Sequence, residues 1–175
     1  MVSSRGFSGV FRRPRPIKPG PGQESVWDYP RPPRIEARSE RVVVRLGGQV
    51  IVDTTKAVRV LETSHPPVYY VPLDAFRSGV LVPVGGTTFC EFKGEASYFD
   101  VVAGGVAVSR GGWTYPKPTR GFEALSGRVA LYPEHMDSCE IDGEQVTFQE
   151  GNFYGGWITH QIVGPFKGGT GTAGW

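Results

Sequence analysis

Six side chains of types that bind or transform small molecules, Arg59, Glu62, Lys93, Tyr98, Trp113 and Tyr115, fall in short segments that read as β-strands. In Val58-Arg59-Val60-Leu61-Glu62, alternation puts Val58, Val60 and Glu62 on one face and Arg59 and Leu61 on the other. A guanidinium beside apolar neighbours needs an anion, either a carboxylate such as Asp100 or a ligand, because an unpaired buried charge is costly. Lys93 is followed by Gly94, where backbone can approach a ligand closely. Trp113 and Tyr115 share a strand face and, with Tyr98, could wall a pocket for a planar or cationic group. Cys90 lies three residues before Lys93; cations nearby favour a thiolate, but no histidine adjoins it, so it is expected to line the site rather than react. The acid/base candidates are Glu62 and the loop residue His65, with Lys93 as electrostatic stabiliser.

These residues must be positioned by strands, because no long helical periodicity runs anywhere in the 175 residues. The strands expected are Arg41–Leu46 and Gln49–Asp53 around a Gly47-Gly48 turn, then Val58–Glu62 and Val68–Val71. Thr87–Phe92 and Ala96–Val102 follow, joined at Lys93-Gly94-Glu95, then Val106–Ser109. Gly104-Gly105 turns the chain into the last of these, Gly111-Gly112 leads on to Trp113-Thr114-Tyr115, and Arg128–Tyr132 and a hairpin at Asp142-Gly143 complete the sheet. Single helical turns are expected at Leu73–Arg77 and Gly121–Leu125. The fold class is all-β, as two packed antiparallel sheets or a closed barrel.

Composition divides the chain into a basic, proline-rich arm (1–35), a β domain (36–149) and a Gly/aromatic tail (150–175). The net charge of +2 hides seven Lys/Arg against two acids in the arm, so the remainder is mildly acidic. That arm lacks interleaved aromatics or a docking helix, so it reads as a strap over its own domain or onto a second protomer rather than as a nucleic-acid contact. The tail, with eight glycines in the last 25 residues, cannot form its own core and must lie on the domain or on a partner subunit in a homo-oligomer. No apolar run reaches the roughly 20 residues of a membrane span. The start lacks the apolar stretch of a secretory signal, so a cytoplasmic location with reduced thiols is expected. His135 and Cys139 are too few ligands for a zinc site, and no metal or cofactor is expected. Gly169-Thr170-Gly171-Thr172-Ala173-Gly174 matches a dinucleotide fingerprint in letters only, because Trp175 alone follows and no helix can present its N-terminus.

Several stretches in order resemble the domain of unknown function 427 family: Val26-Trp27-Asp28-Tyr29-Pro30, Arg59-Val60-Leu61-Glu62-Thr63, Pro66-Pro67 with Tyr69-Tyr70, Cys90 with Lys93-Gly94, Ala96-Ser97-Tyr98, Trp113-Thr114-Tyr115-Pro116 and Gly121-Phe122. The tail segments Phe153–Thr159 and Ile162–Gly169 also resemble an extension found in some members. The resemblance implies a β-tent-like fold, two antiparallel sheets pinned at one edge, with relatives that hold small ligands in aromatic pockets. Those relatives carry a four-cysteine zinc clamp that this sequence lacks, so metal is not carried over. The family is mostly bacterial and is sometimes labelled nucleotidyltransferase-like. No paired-aspartate metal motif or phosphate loop here supports that activity. The leading expectation is a domain binding an anionic or planar metabolite through Arg59, Lys93, Tyr98, Trp113, Tyr115 and Cys90. A small enzyme using Glu62 or His65, or an oligomerisation module, are the alternatives.

Overall fold

A computed structural model describes residues 13–151 and 153–175. The first part of the basic arm, with Arg5 and Arg12, lies outside the described residues. Runs such as Val42-Val43-Val44 and Val68-Tyr69-Tyr70-Val71 are β-branched and aromatic, which suits a pleated, half-buried surface and explains why extended structure dominates. The strands are β1 (Glu24–Ser25), β2 (Arg34–Ala37), β3 (Val42–Leu46), β4 (Gln49–Thr54), β5 (Val58–Leu61), β6 (Val68–Pro72), β7 (Leu81–Cys90) and β8 (Gly94–Ala103). They continue as β9 (Val106–Thr114), β10 (Arg128–Leu131), β11 (Ser138–Ile141), β12 (Glu144–Gln145), β13 (Thr147–Phe148), β14 (Trp157–Ile158) and β15 (Ile162–Val163). Helical structure among the described residues is confined to single 3-10 turns at Val26–Asp28, Leu73–Ala75, Glu123–Leu125 and Pro133–His135.

The fold is all-β. A seven-stranded sheet runs β2-β5-β6-β10-β9-β8-β7 and a four-stranded sheet runs β12-β11-β3-β4, both antiparallel and neither closed into a barrel. One face of the larger sheet, through Tyr69, Val71, Val101, Val129 and Leu131, packs on Val42, Val44, Leu46, Ile51 and Cys139 of the smaller sheet. The turn between β3 and β4 meets the turn between β8 and β9 so tightly that a Cβ on Gly47 would stand 2.1 Å from the Ala103 carbonyl oxygen. The opposite face of the larger sheet, carrying Val58, Val60, Tyr70, Trp113 and Tyr115, is covered only in part, by Phe122 and Leu125.

Arm and tail pair with each other in the same chain. β1 runs parallel to β15, and Ile17 N–H donates to the Gly164 carbonyl at 2.8 Å. Trp157 of β14 stacks on Tyr69 with ring centroids 5.0 Å apart, so the tail contributes to the central core. Two sequence expectations fail here. Gly111-Gly112 does not separate two strands: β9 runs through it, bulged against β8 between Val108 and Gly112, and side chains of Val108 and Leu131 occupy the space where β-carbons would sit. The segment before Thr87 is also strand, and Gly85-Gly86 forms a bulge within β7 instead of ending it.

Candidate functional site

Strand register builds the floor of a cavity on the partly covered face. Tyr70, Ala130, Trp113 and Tyr98 lie side by side across β6, β10, β9 and β8. A small residue between two large rings leaves room above it, and the Trp113 indole N–H donates to the Tyr70 hydroxyl at 3.1 Å. Tyr132 follows Ala130 with the same parity and packs on Trp113 at 4.5 Å between centroids. Tyr98 is hydrogen-bonded to Thr88 of the neighbouring strand at 2.6 Å. The resulting cavity of about 390 Å³ is lined by these rings together with Tyr115, Cys90, Lys93, Glu62 and His65. Burial raises the Tyr70, Tyr115 and Tyr132 hydroxyls above their ordinary value, Tyr70 well above it, which reinforces their neutral form.

The polar wall comes from the end of β5 and the turn after it. Ser64 takes a left-handed backbone (φ 73°), held by its N–H to the Val26 carbonyl at 3.0 Å and its carbonyl to the Lys167 N–H at 2.9 Å. This turn brings His65 back to Glu62, with Nε2 and Oε2 2.9 Å apart. Burial raises the Glu62 carboxyl, but the His65 hydrogen bond and charge, with Lys93 and Arg31, outweigh it and hold the group below the ordinary glutamate value. Lys93 is half-buried at the tip of the β7–β8 hairpin, its Nζ 5.8 Å from the Tyr115 ring centroid. No ion pair among the described residues uses it.

The tail closes the cavity on one side. Tyr154 packs on the His65 ring at 5.3 Å between centroids, and Gly155 lies flat on the Trp113 indole, where a Cβ would come within 2.4 Å of the ring. Phe89 and Phe153 stand at the mouth, 77% and 83% exposed, which is unusual for side chains of that size.

Arg59 does not join the site, and this corrects the sequence expectation. The pleat sends it to the face opposite Glu62, Val60 and Tyr70, where its side chain is 5% exposed. It donates to Glu36 at 2.7 and 3.1 Å and to Glu24 at 2.6 Å, and Glu24 also accepts from the Tyr29 hydroxyl at 2.7 Å. Burial works against the guanidinium charge, but Glu24 and Glu36 outweigh it and raise its pKa. Asp100, considered as its partner, instead accepts from the Arg110 backbone N–H at 2.8 Å.

Of the sequence candidates, the structure brings Glu62, His65, Cys90, Lys93, Tyr98, Trp113 and Tyr115 to one cavity. It adds Tyr70, Tyr132, Gln149 and Tyr154, which sequence reasoning passed over. Tyr70 and Tyr132 had a signal, the two-residue period shared with Val68 and Ala130. Gln149 and Tyr154 had none, because their place depends on where the tail docks. Cys139 lies in the core, where burial pushes its thiol up to about 12. Among the described residues, no cluster of three or more His, Cys, Asp or Glu side chains is placed to hold a metal ion. No helix among them is long and apolar enough to cross a membrane.

No curated protein matches the chain. A family profile described as Domain of unknown function (DUF427) matches residues 34–142, a span that holds the whole seven-stranded sheet, β3, β4 and β11 of the four-stranded sheet and most of the cavity lining, but ends before β12, Gln149 and Tyr154. The match covers well over half of the sequence, and the chain belongs to the DUF427 family.

Proposed function

We propose that the chain is a binding domain for a small planar metabolite carrying an anionic group. Lys93 receives the anion, Tyr98, Trp113 and Tyr115 contact the ring, and Cys90 completes the lining. The observation that supports this reading is the cavity of about 390 Å³ whose lining joins several aromatic rings to Lys93, an ammonium with no ion-pair partner among the described residues that lies 5.8 Å from the Tyr115 ring centroid. That volume lies within the range of about 300–1,000 Å³ usual for small-molecule pockets, which combine apolar walls with a few convergent polar groups. A panel of aromatic and heteroaromatic acids should raise the melting temperature, and Lys93→Ala should remove the rise while leaving the free protein folded. A panel without effect on the wild-type chain refutes the reading.

A second reading is favoured by one further observation, that Glu62 and His65 form a hydrogen-bonded pair lining the same cavity as Lys93. In that reading the domain is a small enzyme with this pair as acid/base and Lys93 stabilising developing negative charge. Chemical conversion of a bound ligand, lost in Glu62→Gln with binding retained, separates it from passive binding.

A further inference from the structure

The polar wall of the cavity is a directed chain whose polarity is set by main-chain groups of the tail. Gln149 is 2% exposed, and its amide sits between the Gly156 N–H, which donates to Oε1 at 3.1 Å, and the Lys167 carbonyl, which accepts from Nε2 at 2.7 Å. A peptide N–H can only donate and a carbonyl only accept, so the amide has one orientation. Turned over, it would set donor against donor at Gly156 and acceptor against acceptor at Lys167. The Gln149 Nε2 also faces His65 Nδ1 at 3.3 Å. A donor there requires Nδ1 to be the acceptor, which leaves the ring hydrogen on Nε2, pointing at Glu62 Oε2 2.9 Å away. Both ring nitrogens are thereby engaged within the protein. The chain ends on the carboxylate of Glu62, a residue of the cavity lining, whose second oxygen accepts no hydrogen bond from the described residues.

We infer that the Gln149–His65 relay fixes Glu62 as a hydrogen-bond acceptor for the ligand, so the ligand is an aromatic acid that also carries an N–H or O–H donor on its ring. This rests on the binding reading above and adds the second polar contact. Lys93 takes the anion, the rings take the aromatic face, and Glu62 takes the donor. His65 and Gln149 are positioning residues. A ligand lacking the donor would desolvate the Glu62 carboxylate with nothing in return, and hydrogen bonds to charged groups are worth roughly tenfold to a hundredfold in affinity.

Two measurements test this on the full chain. The first is the nitrogen spectrum of the free protein, with the His65 ring signals identified by their loss in His65→Gln. The expected pattern at neutral pH is a protonated Nε2 with an unprotonated Nδ1, and the opposite tautomer overturns the relay. The second is calorimetric titration with 4-aminobenzoate and 4-methylbenzoate, which share shape and carboxylate but differ in the ring donor. The amino acid should bind about tenfold to a hundredfold tighter, and Glu62→Gln, whose oxygen is held by His65 and whose NH2 faces the cavity, should erase that preference. Equal affinities in the wild-type chain overturn the ligand assignment while the binding reading stands. If neither acid binds, the binding reading and the ligand assignment fall together, and the relay is judged by the nitrogen spectrum alone.

Discussion

Replacing Arg59 by methionine separates stability from binding, because the pleat puts this residue on the face away from the cavity. Its guanidinium makes three hydrogen bonds, two to Glu36 and one to Glu24, while its own side chain is 5% exposed. Removing one partner of a fully buried ion pair costs about 3–5 kcal/mol, mostly from the charge left behind. Here the carboxylates left behind are 39% and 32% exposed, so water takes over part of their demand. About half of the buried-pair cost, on the order of 2 kcal/mol, is therefore expected. For a chain of this size each kcal/mol lowers the melting temperature by about 2–4 °C, which gives a drop of about 4–8 °C. Calorimetry on Arg59→Met and Lys93→Ala should show opposite profiles. The first loses stability and keeps the response to aromatic acids, and the second keeps stability and loses the response. An Arg59→Met chain that melts with the wild type, or that no longer responds to ligand, means that the assignment of the two cations is wrong.

Three other outcomes follow from the same geometry. Glu36 and Glu62 are pulled upward by burial but held lower still by Arg59 and Arg38 in one case and by His65, Lys93 and Arg31 in the other. A depressed folded value means the stabilisation is complete above the ordinary glutamate value of 4.5 and is lost as pH falls through the folded values, so melting temperature should be level near neutrality and fall on acidification below about pH 5; a melting temperature that rises on acidification contradicts this. Gly155→Ala forces a methyl within 2.4 Å of the buried Trp113 indole, so it should cost about 1–3 kcal/mol and shift tryptophan fluorescence; an unchanged melting curve and spectrum would mean the tail does not lie on that ring. Native alkylation with iodoacetamide should modify the half-buried Cys90 and spare Cys139, whose burial pushes its thiol up to about 12, and a bound aromatic acid should slow the reaction at Cys90; intact mass with peptide mapping reads this directly.

Much of the site was legible because a β-strand is a two-residue pattern. Alternation along Val58–Glu62 put Glu62 and Arg59 on opposite faces, and that parity is what removes Arg59 from the cavity. The same parity joins Trp113 with Tyr115, and strand register adds Tyr98 and Tyr70. What local pattern does not carry is which carboxylates meet a buried cation. Glu36 reaches Arg59 only through the β2–β5 pairing, and Glu24 through the arm that β15 holds in place. Gly-Gly pairs take different roles for a related reason. At Gly47-Gly48 they turn the chain, whereas at Gly111-Gly112 they admit neighbouring side chains within a strand, and only tertiary packing distinguishes the two. The side closed by the tail was out of reach of sequence alone, since Gln149, Tyr154 and Gly155 are placed by tail docking far along the chain, where Trp157 N–H donates to the Pro67 carbonyl, Lys167 N–H to the Ser64 carbonyl, and Gly155 meets Trp113.

Where an aromatic acid touches the protein is the decisive observation. Titrating the nitrogen-labelled full chain with 4-aminobenzoate, and following amide and indole signals, locates that contact residue by residue. Saturable shifts should concentrate at the Trp113 indole N–H and at the amides of Glu62, His65, Lys93 and Tyr98. Saturable shifts gathered around Arg59, Glu24 and Glu36 instead, or spread over the surface without any at Trp113, would mean that the cavity is not the binding site.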